Sequence, residues 1–279
     1  MLVKATKTDI EQYMDFAYSL ALDQTKSGYP LFSDGISTRE QFVNHVWTGY
    51  ENADQDILLF TIDGAIEGWI QFFYIEQDRY LQTNGFLISR NTQQALEEFI
   101  EYARANFAGY DLYLGFPKKN THAITYLQKS GFKLIEDAYH NIFIFDGSSI
   151  QPKSPNLVKI TESNFSAFSR IYQPDPDTYW NSERIYSTLN EWIIYVLYRD
   201  TIAVGYVFAR NGEIYGLGYR DHIFDKRTYT ELITAILNDL KAAEHKYMVF
   251  LSDDKESQCT ALDIGFSCVG EYVLYVKSV

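Results

Sequence analysis

Apolar residues along this chain switch between two periods, and the order of the switches predicts its elements. After a short strand over 2–6, Ile10, Tyr13, Met14, Ala17 and Leu20 recur at helical spacing and predict a helix over 8–24. Phe42, Val43, Val46 and Trp47 predict a second helix near 38–50. The apolar runs Ile57–Ile62 and Ala65–Tyr74 flank Asp63-Gly64, a favoured two-residue turn, and read as a hairpin. A strand near 80–88, a helix near 92–106 (Ala95, Phe99, Ile100, Ala103), a strand Asp111–Phe116, a short helix 120–130 and a strand 132–145 follow.

The same order then recurs. Strand 157–161, helical segments 163–172 and 181–189, a hairpin 192–209 turning at Asp200, strand 213–219, helix 229–243, strand 247–252, helix 255–263 and strand 266–277 are predicted. Three sequence matches support a true repeat: LVKAT at 2–6 with LVKIT at 157–161, ILLFTIDGAIEG at 57–68 with IYVLYRDTIAVG at 194–205, and Gly-Phe at 131–132 and 265–266. The offset falls from 155 at the first match to 137 at the second, so the helical segments between them are shorter in the second copy. The expectation is an α+β protein of two tandem domains, 1–148 and 155–279, each a mixed, mostly antiparallel sheet flanked by helices. The stretch from Asp146 to Pro155, with its Gly, Ser and Pro residues, has the chemistry of a linker.

With 279 residues, 46% hydrophobic and 16% aromatic, the chain has enough apolar surface for two cores, which excludes disorder. Twenty-four Lys and Arg against 37 Asp and Glu leave a net charge of −13. Such a surface repels phosphate backbones and anionic lipid, so neither nucleic acid nor membrane is expected as a partner; a small cationic molecule fits better. Lys4, Asp9 and Glu11 stand where a signal peptide needs an apolar core, and no apolar run approaches the ~20 residues of a span, so a soluble, cytoplasmic location is expected. Cys259, Cys268 and five scattered histidines show no ligand spacing, and no metal is expected. Oligomeric state leaves no trace in the sequence.

The order of elements, together with Asn120, Ala123, Lys129, Gly131 and Phe132 in NTHAITYLQKSGF, resembles the GNAT N-acyltransferase superfamily. The resemblance covers both copies in element order and this one stretch in motif. It implies transfer of an acetyl group from acetyl-CoA to a primary amine. It also implies a gap beside the fourth strand for pantetheine and a helix start that receives the pyrophosphate. Both copies depart from the family's glycine-rich phosphate signature. The first has Arg90-Asn91-Thr92-Gln93-Gln94-Ala95 and the second Arg227-Thr228-Tyr229-Thr230-Glu231-Leu232. At the family's usual acid slot, a Tyr four residues before the Gly, stand Leu127 (beside Tyr126) and Ala261.

The second copy is the expected cofactor site. Its loop Arg220–Arg227 supplies Arg220, Lys226 and Arg227 for phosphates, and backbone N–H groups from Asp225 through Thr228, Tyr229 and Thr230 surround the pyrophosphate. Arg90 and Asn120 are the corresponding residues of the first copy. Alternation along 213–219 puts Glu213, Tyr215, Leu217 and Tyr219 on one face, with Glu213 as the expected base and Tyr219 or Tyr215 as the expected acid. Asp221 and His222 follow that strand, and Glu76 and Asp78 end the hairpin of the first copy. Tyr172, Tyr179, Trp180 and Tyr186, with Asp175, Asp177 and Glu183, are candidates to hold a cationic amine. The alternative class is a catalytically silent pseudo-acyltransferase that binds acyl-CoA or a partner, favoured by the missing acid and glycines.

Overall fold

The computed structural model describes residues 1–28, 38–147, 150–151, 153–175 and 178–279. Ser148, Ser149 and Pro152 of the linker stretch, and Asp177, lie outside the described residues. The first copy runs β1 (Leu2–Lys4), α1 (Lys7–Ala21), β2 (Ser27–Gly28), α2 (Arg39–Glu51), β3 (Gln55–Ile62), β4 (Ala65–Ile75), β5 (Tyr80–Ile88), α3 (Thr92–Asn106), β6 (Asp111–Pro117), α4 (Thr121–Lys129) and β7 (Lys133–Ile144). The second runs β8 (Leu157–Lys159), α5 (Phe165–Ile171), α6 (Ser182–Ser187), β9 (Ile193–Arg199), β10 (Ile202–Arg210), β11 (Glu213–Tyr219), α7 (Lys226–Ala242), β12 (Tyr247–Ser252), α8 (Lys255–Ile264) and β13 (Ser267–Ser278). Among the described residues no helix is long and apolar enough to cross a membrane.

Strand register confirms the repeat residue by residue. Leu2 lies opposite Phe60 as Leu157 lies opposite Leu197, and Phe60 faces Gly68 as Leu197 faces Gly205. Both hairpins carry a bulge at the same level, with Glu67 the extra residue in β4 and Val204 the extra residue in β10. Helices α4 and α8 end alike on a glycine in the left-handed region, Gly131 at φ +74° and Gly265 at φ +112°, where a side chain would be strained. The N–H of Phe132 then reaches the carbonyl of Leu127 at 3.1 Å, and that of Phe266 reaches Ala261 at 3.0 Å. This closure drops each phenylalanine into its core. The helices before the second hairpin are shorter, as the offset requires: α5 and α6 have 7 and 6 residues against 15 and 13 in α1 and α2.

The compact units do not follow the boundary between copies. One unit consists of Met1–Ala138 with Gly270–Val279, the other of Tyr139–Val269. In the first, the strand order is β1-β3-β4-β5-β6-β13, and β2 lies beside β5; in the second it is β7-β12-β11-β10-β9-β8. All these pairs are antiparallel except β5 with β6 and β11 with β12. Each copy's closing strand therefore completes the other unit: β13 pairs with β6 from Tyr272 opposite Pro117 to Ser278 opposite Asp111, and β7 pairs with β12 from Tyr139 opposite Ser252 to Ile144 opposite Tyr247. The compact units depart from the expected division 1–148 and 155–279 because they exchange final strands. Alternation specifies which face of a strand is buried and leaves open which edge it joins, so the exchange has no signature in the residues.

Each sheet is covered on both faces. In the first unit α3 and α4 bury Phe99, Leu96 and Leu127 on one face, and α1 and α2 bury Ile10, Phe42 and Val46 on the other. In the second unit α7 buries Tyr229, Leu232 and Ile236, opposite a layer of Phe168, Ile185, Trp192 and Phe208.

His140, on β7, is 1% exposed, and its Nε2 has no hydrogen-bond partner. Burial pushes its pKa down to about 4 from 6.5. The unfolded chain takes up this proton near 6.5 and the folded chain does not until about 4. Stability from this group is thus present at neutral pH and lost as pH falls through that window. Between urea melts at pH 7.5 and 5 this group should account for a loss of about 2 kcal/mol that His140→Leu removes from the slope; an unchanged pH slope in the variant would contradict the assignment.

Candidate active site

The geometry that matters is where the one parallel pair in each sheet comes apart. β5 registers with β6 over only three residues, Tyr80, Leu81 and Gln82, and β11 registers with β12 over two, Glu213 and Ile214. At the point of parting each strand carries a bulge. Phe72 faces Thr83 while Gln71 faces Gly85, which leaves Asn84 as the extra residue. Ala209 faces Ile214 while Phe208 faces Gly216, which leaves Tyr215. Asn84 and Tyr215, Gly85 and Gly216, and Ile88 and Tyr219 are therefore equivalent. An inserted residue bends and re-aims the strand, and here it steers β5 and β11 away from their parallel neighbours.

The bulge corrects the expected faces of β11. Glu213 lies opposite Arg210, whose guanidinium sits over Trp180 and Trp192, and Tyr215 packs on those same two rings at 5.9 and 5.2 Å. Beyond the bulge the parity changes: Leu217 and Tyr219 pack on the other layer, beside α7. Glu213 and Tyr215 thus share one face and Tyr219 the opposite one. The Tyr219 hydroxyl is buried with no hydrogen-bond partner. Burial, followed by the charges of Asp254 and Asp225, holds this phenol well above its ordinary pKa and therefore protonated. Tyr229, 1% exposed, also has a partnerless hydroxyl; burial, then Tyr219, Asp254 and Asp253, raises it further.

Past Ile214, no strand pairs with Gly216–Tyr219 on the side toward β12 among the described residues, while β10 pairs with the whole run on the other side. The end of this slot is the start of α7, which begins at Lys226, three residues before the expected 229. Asp225 is its cap: the carboxylate accepts from the Thr228 N–H at 2.9 Å, and hydrogen bonds from Thr228 hold it below the usual carboxylate range. A negative group thus stands where an anion was expected. The cations nearby have partners: Lys226 pairs with Asp263 at 2.6 Å, and Arg227 with Glu231 at 3.0 Å, a carboxylate also held bidentately by Arg199. Arg220 is exposed at the end of β11, Thr228 is buried, and the Thr230 hydroxyl bonds back to the Lys226 carbonyl. Asp221 and His222 lie in the exposed turn that follows, His222 with φ +54°.

In the first copy the slot is filled. Ser27 and Gly28 of β2 pair with Leu87 and Phe86 on the edge of β5 that faces β6, and the Ile88 N–H reaches the Lys26 carbonyl at 3.0 Å. Asn120 is 1% exposed. Its Oδ1 accepts from the Ala123 N–H as a helix cap, and its Nδ2 donates to the Ser27 carbonyl at 3.0 Å. Arg90 pairs with Glu67 at 2.6 Å. Helix α3 starts after Asn91, which sits at φ +59° and makes no side-chain cap. Glu76 and Asp78 form a short 3-10 turn between β4 and β5.

The aromatic side of the second copy differs from the expected amine cage. Arg210 lies 5.5 Å from both Trp180 and Trp192 and pairs with Glu191, and Arg184 lies 4.1 Å from the Tyr179 ring. These faces already carry the chain's own guanidinium groups. Tyr172 is buried against Phe168, and Tyr186 is exposed. Sequence reasoning missed Ser27, Gly28, Asp253, Asp254 and Arg210. Only Asp254 carried a signal, an acidic residue three positions before Ser257 and just ahead of a helical run, which is how a cap reads.

No family model and no curated protein matches the sequence. Solved structures do match in fold. A GCN5-related N-acetyltransferase from Sphaerobacter thermophilus aligns over 99% of this chain and 95% of its own with a TM-score of 0.58 at 14% identity. A tandem GNAT protein from the clavulanic acid biosynthesis pathway aligns over 99% and 98%, with a TM-score of 0.55 at 12% identity. A GCN5-related glucosamine N-acetyltransferase region of a fungal multi-domain GH3 β-N-acetylglucosaminidase aligns over 99% of this chain and 38% of that one, with a TM-score of 0.57 at 10% identity. With the bulged, parting fourth strand present in both copies, the chain has the GNAT N-acyltransferase fold twice in tandem.

Proposed function

We propose that the protein is an N-acyltransferase that moves an acetyl group from acetyl-CoA to the primary amine of a small, cationic acceptor, with the thioester held at the second copy. One observation carries this reading: the edge of β11 over Gly216–Tyr219, unfilled among the described residues, lies alongside a buried, partnerless Tyr219 hydroxyl. An open main-chain edge suits the amides of a pantetheine arm, because each strand N–H and C=O needs a partner. Acetyl-CoA would supply the activated acyl carbon; the chain supplies orientation and proton management.

Glu213 and Tyr219 stand six residues apart on β11 and on opposite faces, roughly 20 Å along the strand, so the proton taken at Glu213 reaches it through water rather than directly. Glu213, on the aromatic side, is the proposed base for the proton that the acceptor ammonium must lose before attack. Tyr219, on the α7 side, is the proposed hydrogen-bond donor to the sulfur as the C–S bond breaks and the C–N bond forms. A phenol raised by burial does not give up its proton to a thiolate whose thiol has a pKa of ~8.5. Its contribution is therefore a hydrogen bond in a dry site, and a thiol that leaves as thiolate needs no more.

A second reading, acyl-CoA or partner binding without transfer, is favoured by Asp225 at the helix start and by Asp254. Asp254 caps α8 through the Ser257 N–H, where α4 is capped by the amide Asn120. Its carboxylate has no N–H to donate.

Saturating acetyl-CoA, at ~100 times its Kd, should raise Tm by roughly 5–10 °C. Tyr219→Phe should keep that shift but lower kcat roughly 10–100-fold, and Glu213→Gln should flatten the acid limb of the pH–rate profile. Full turnover in both variants refutes the assignment. A Tm shift without turnover on polyamines, aminoglycosides, amino acids or peptide N-termini favours the second reading.

Asp225→Asn keeps the helix cap and removes the charge. It should tighten CoA roughly 2–5-fold if the pyrophosphate lies at α7. Replacing Lys226 and Arg227 by Ala should weaken CoA by about 1–3 kcal/mol. Calorimetric titration that finds both unchanged would exclude this helix start.

A further inference from the structure

The two copies have the same slot and treat it differently. In the first, the groups along β5 from Phe86 to Ile88 that face β6 are met by the chain itself. Ser27 registers with Leu87, Gly28 with Phe86, and the Ile88 N–H donates to the Lys26 carbonyl. The insertion is tight. A Cβ on Gly28 would lie 2.7 Å from the Phe86 Cβ, 2.9 Å from the Phe116 ring and 3.2 Å from the Gly115 carbonyl, so β2 sits between the parted strands and only glycine fits. Asn120 locks it from the other side by donating its Nδ2 to the Ser27 carbonyl, an amide-to-amide contact at 3.0 Å. Ser27 and Gly28 are both buried.

The occupant is chemically telling. β2 is two residues long, too short to add much sheet, and it offers β5 a run of secondary amides with no bulky side chain. A pantetheine arm also offers secondary amides on a slender chain. Past the end of this slot α3 starts without a side-chain cap, whereas α7, beside the unfilled slot, is capped by the Asp225 carboxylate.

We propose that Lys26–Gly28 is a built-in competitor of acyl-CoA at the first copy: the chain's own backbone holds the β5 edge that a pantetheine arm would need, so each chain takes up one acyl-CoA, and displacing β2 exposes a second site. This rests on the second copy being the site of acyl-CoA binding. The first copy is closed by occupation, and its β5 and β6 part as β11 and β12 do.

The test combines stoichiometry with position. Native mass spectrometry of the full chain with acetyl-CoA should show one equivalent, and amide exchange at Phe86, Leu87 and Ile88 should be unchanged by the ligand. Gly28→Val, which cannot fit between Phe86 and Gly115, should expel β2 and bind two equivalents. Asn120→Asp keeps an oxygen for the Ala123 cap and loses the donor to Ser27. Exchange at Ile88 should then accelerate roughly five- to tenfold, and this readout survives if the valine variant does not fold. Two equivalents in the unmodified chain, ligand protection at Phe86–Ile88, unaltered exchange in Asn120→Asp, or a folded Gly28→Val protein with no added equivalent would each overturn the proposal. No equivalent in the unmodified chain but one in Gly28→Val would overturn the assignment to the second copy and leave the competitor standing. No binding in either would overturn both.

Discussion

A main-chain N–H or C=O withdrawn from its neighbour in a sheet must find another partner or lose about 1–3 kcal/mol when buried. In this chain that demand is concentrated at two places, where β5 parts from β6 and where β11 parts from β12. The parallel register lasts three residues in one case and two in the other, and a bulge at Asn84 or Tyr215 drives the separation. Everything else in each unit serves to hold those strands apart: two hairpins on one side, a borrowed closing strand on the other, and helices packed over both faces.

The two copies answer the demand in complementary ways. The first keeps the amide Asn120 and a helix start with no side-chain cap, and fills the slot between its strands with its own residues. The second keeps its slot, and puts acidic caps, Asp225 and Asp254, at both helix starts beside it. Each copy thus retains what the other has altered. The partnerless hydroxyls of Tyr219 and Tyr229 belong to the second copy, on the α7 side of its slot.

Element order, and most boundaries, were legible in the residues. Strands 80–88, 213–219 and 247–252 and helix 92–106 fall where periodicity places them. The repeat was legible as well, down to the equivalence of Gly68 with Gly205. What failed to show were features set by register. The bulge at Tyr215 inverts the side-chain parity of Leu217 and Tyr219 without any change in the alternating pattern, since an extra residue looks the same as a continued strand. The strand Ser27–Gly28 is too short for any period. Helix α7 starts three residues before its apolar periodicity does, because Asp225 caps a first turn made of polar residues. Burial of Asn120 beneath β2 could not be inferred from a motif that elsewhere implies a ligand contact.

The exchange of closing strands has a consequence for how the protein comes into being. Ser278 and its neighbour Asp111 are 167 residues apart in the chain, so β6 leaves the ribosome long before the strand that covers its edge exists. During that interval the first unit presents a row of unpaired amides, the kind of surface that recruits chaperones or other nascent chains, and contacts of such separation form slowly. The second unit meets no such delay, since β7 is already made when β12 emerges. The last strand of the first unit is therefore synthesised after that of the second, and a stop codon anywhere before residue 270 removes the closing strand of the first unit even when every other residue of that unit has been synthesised.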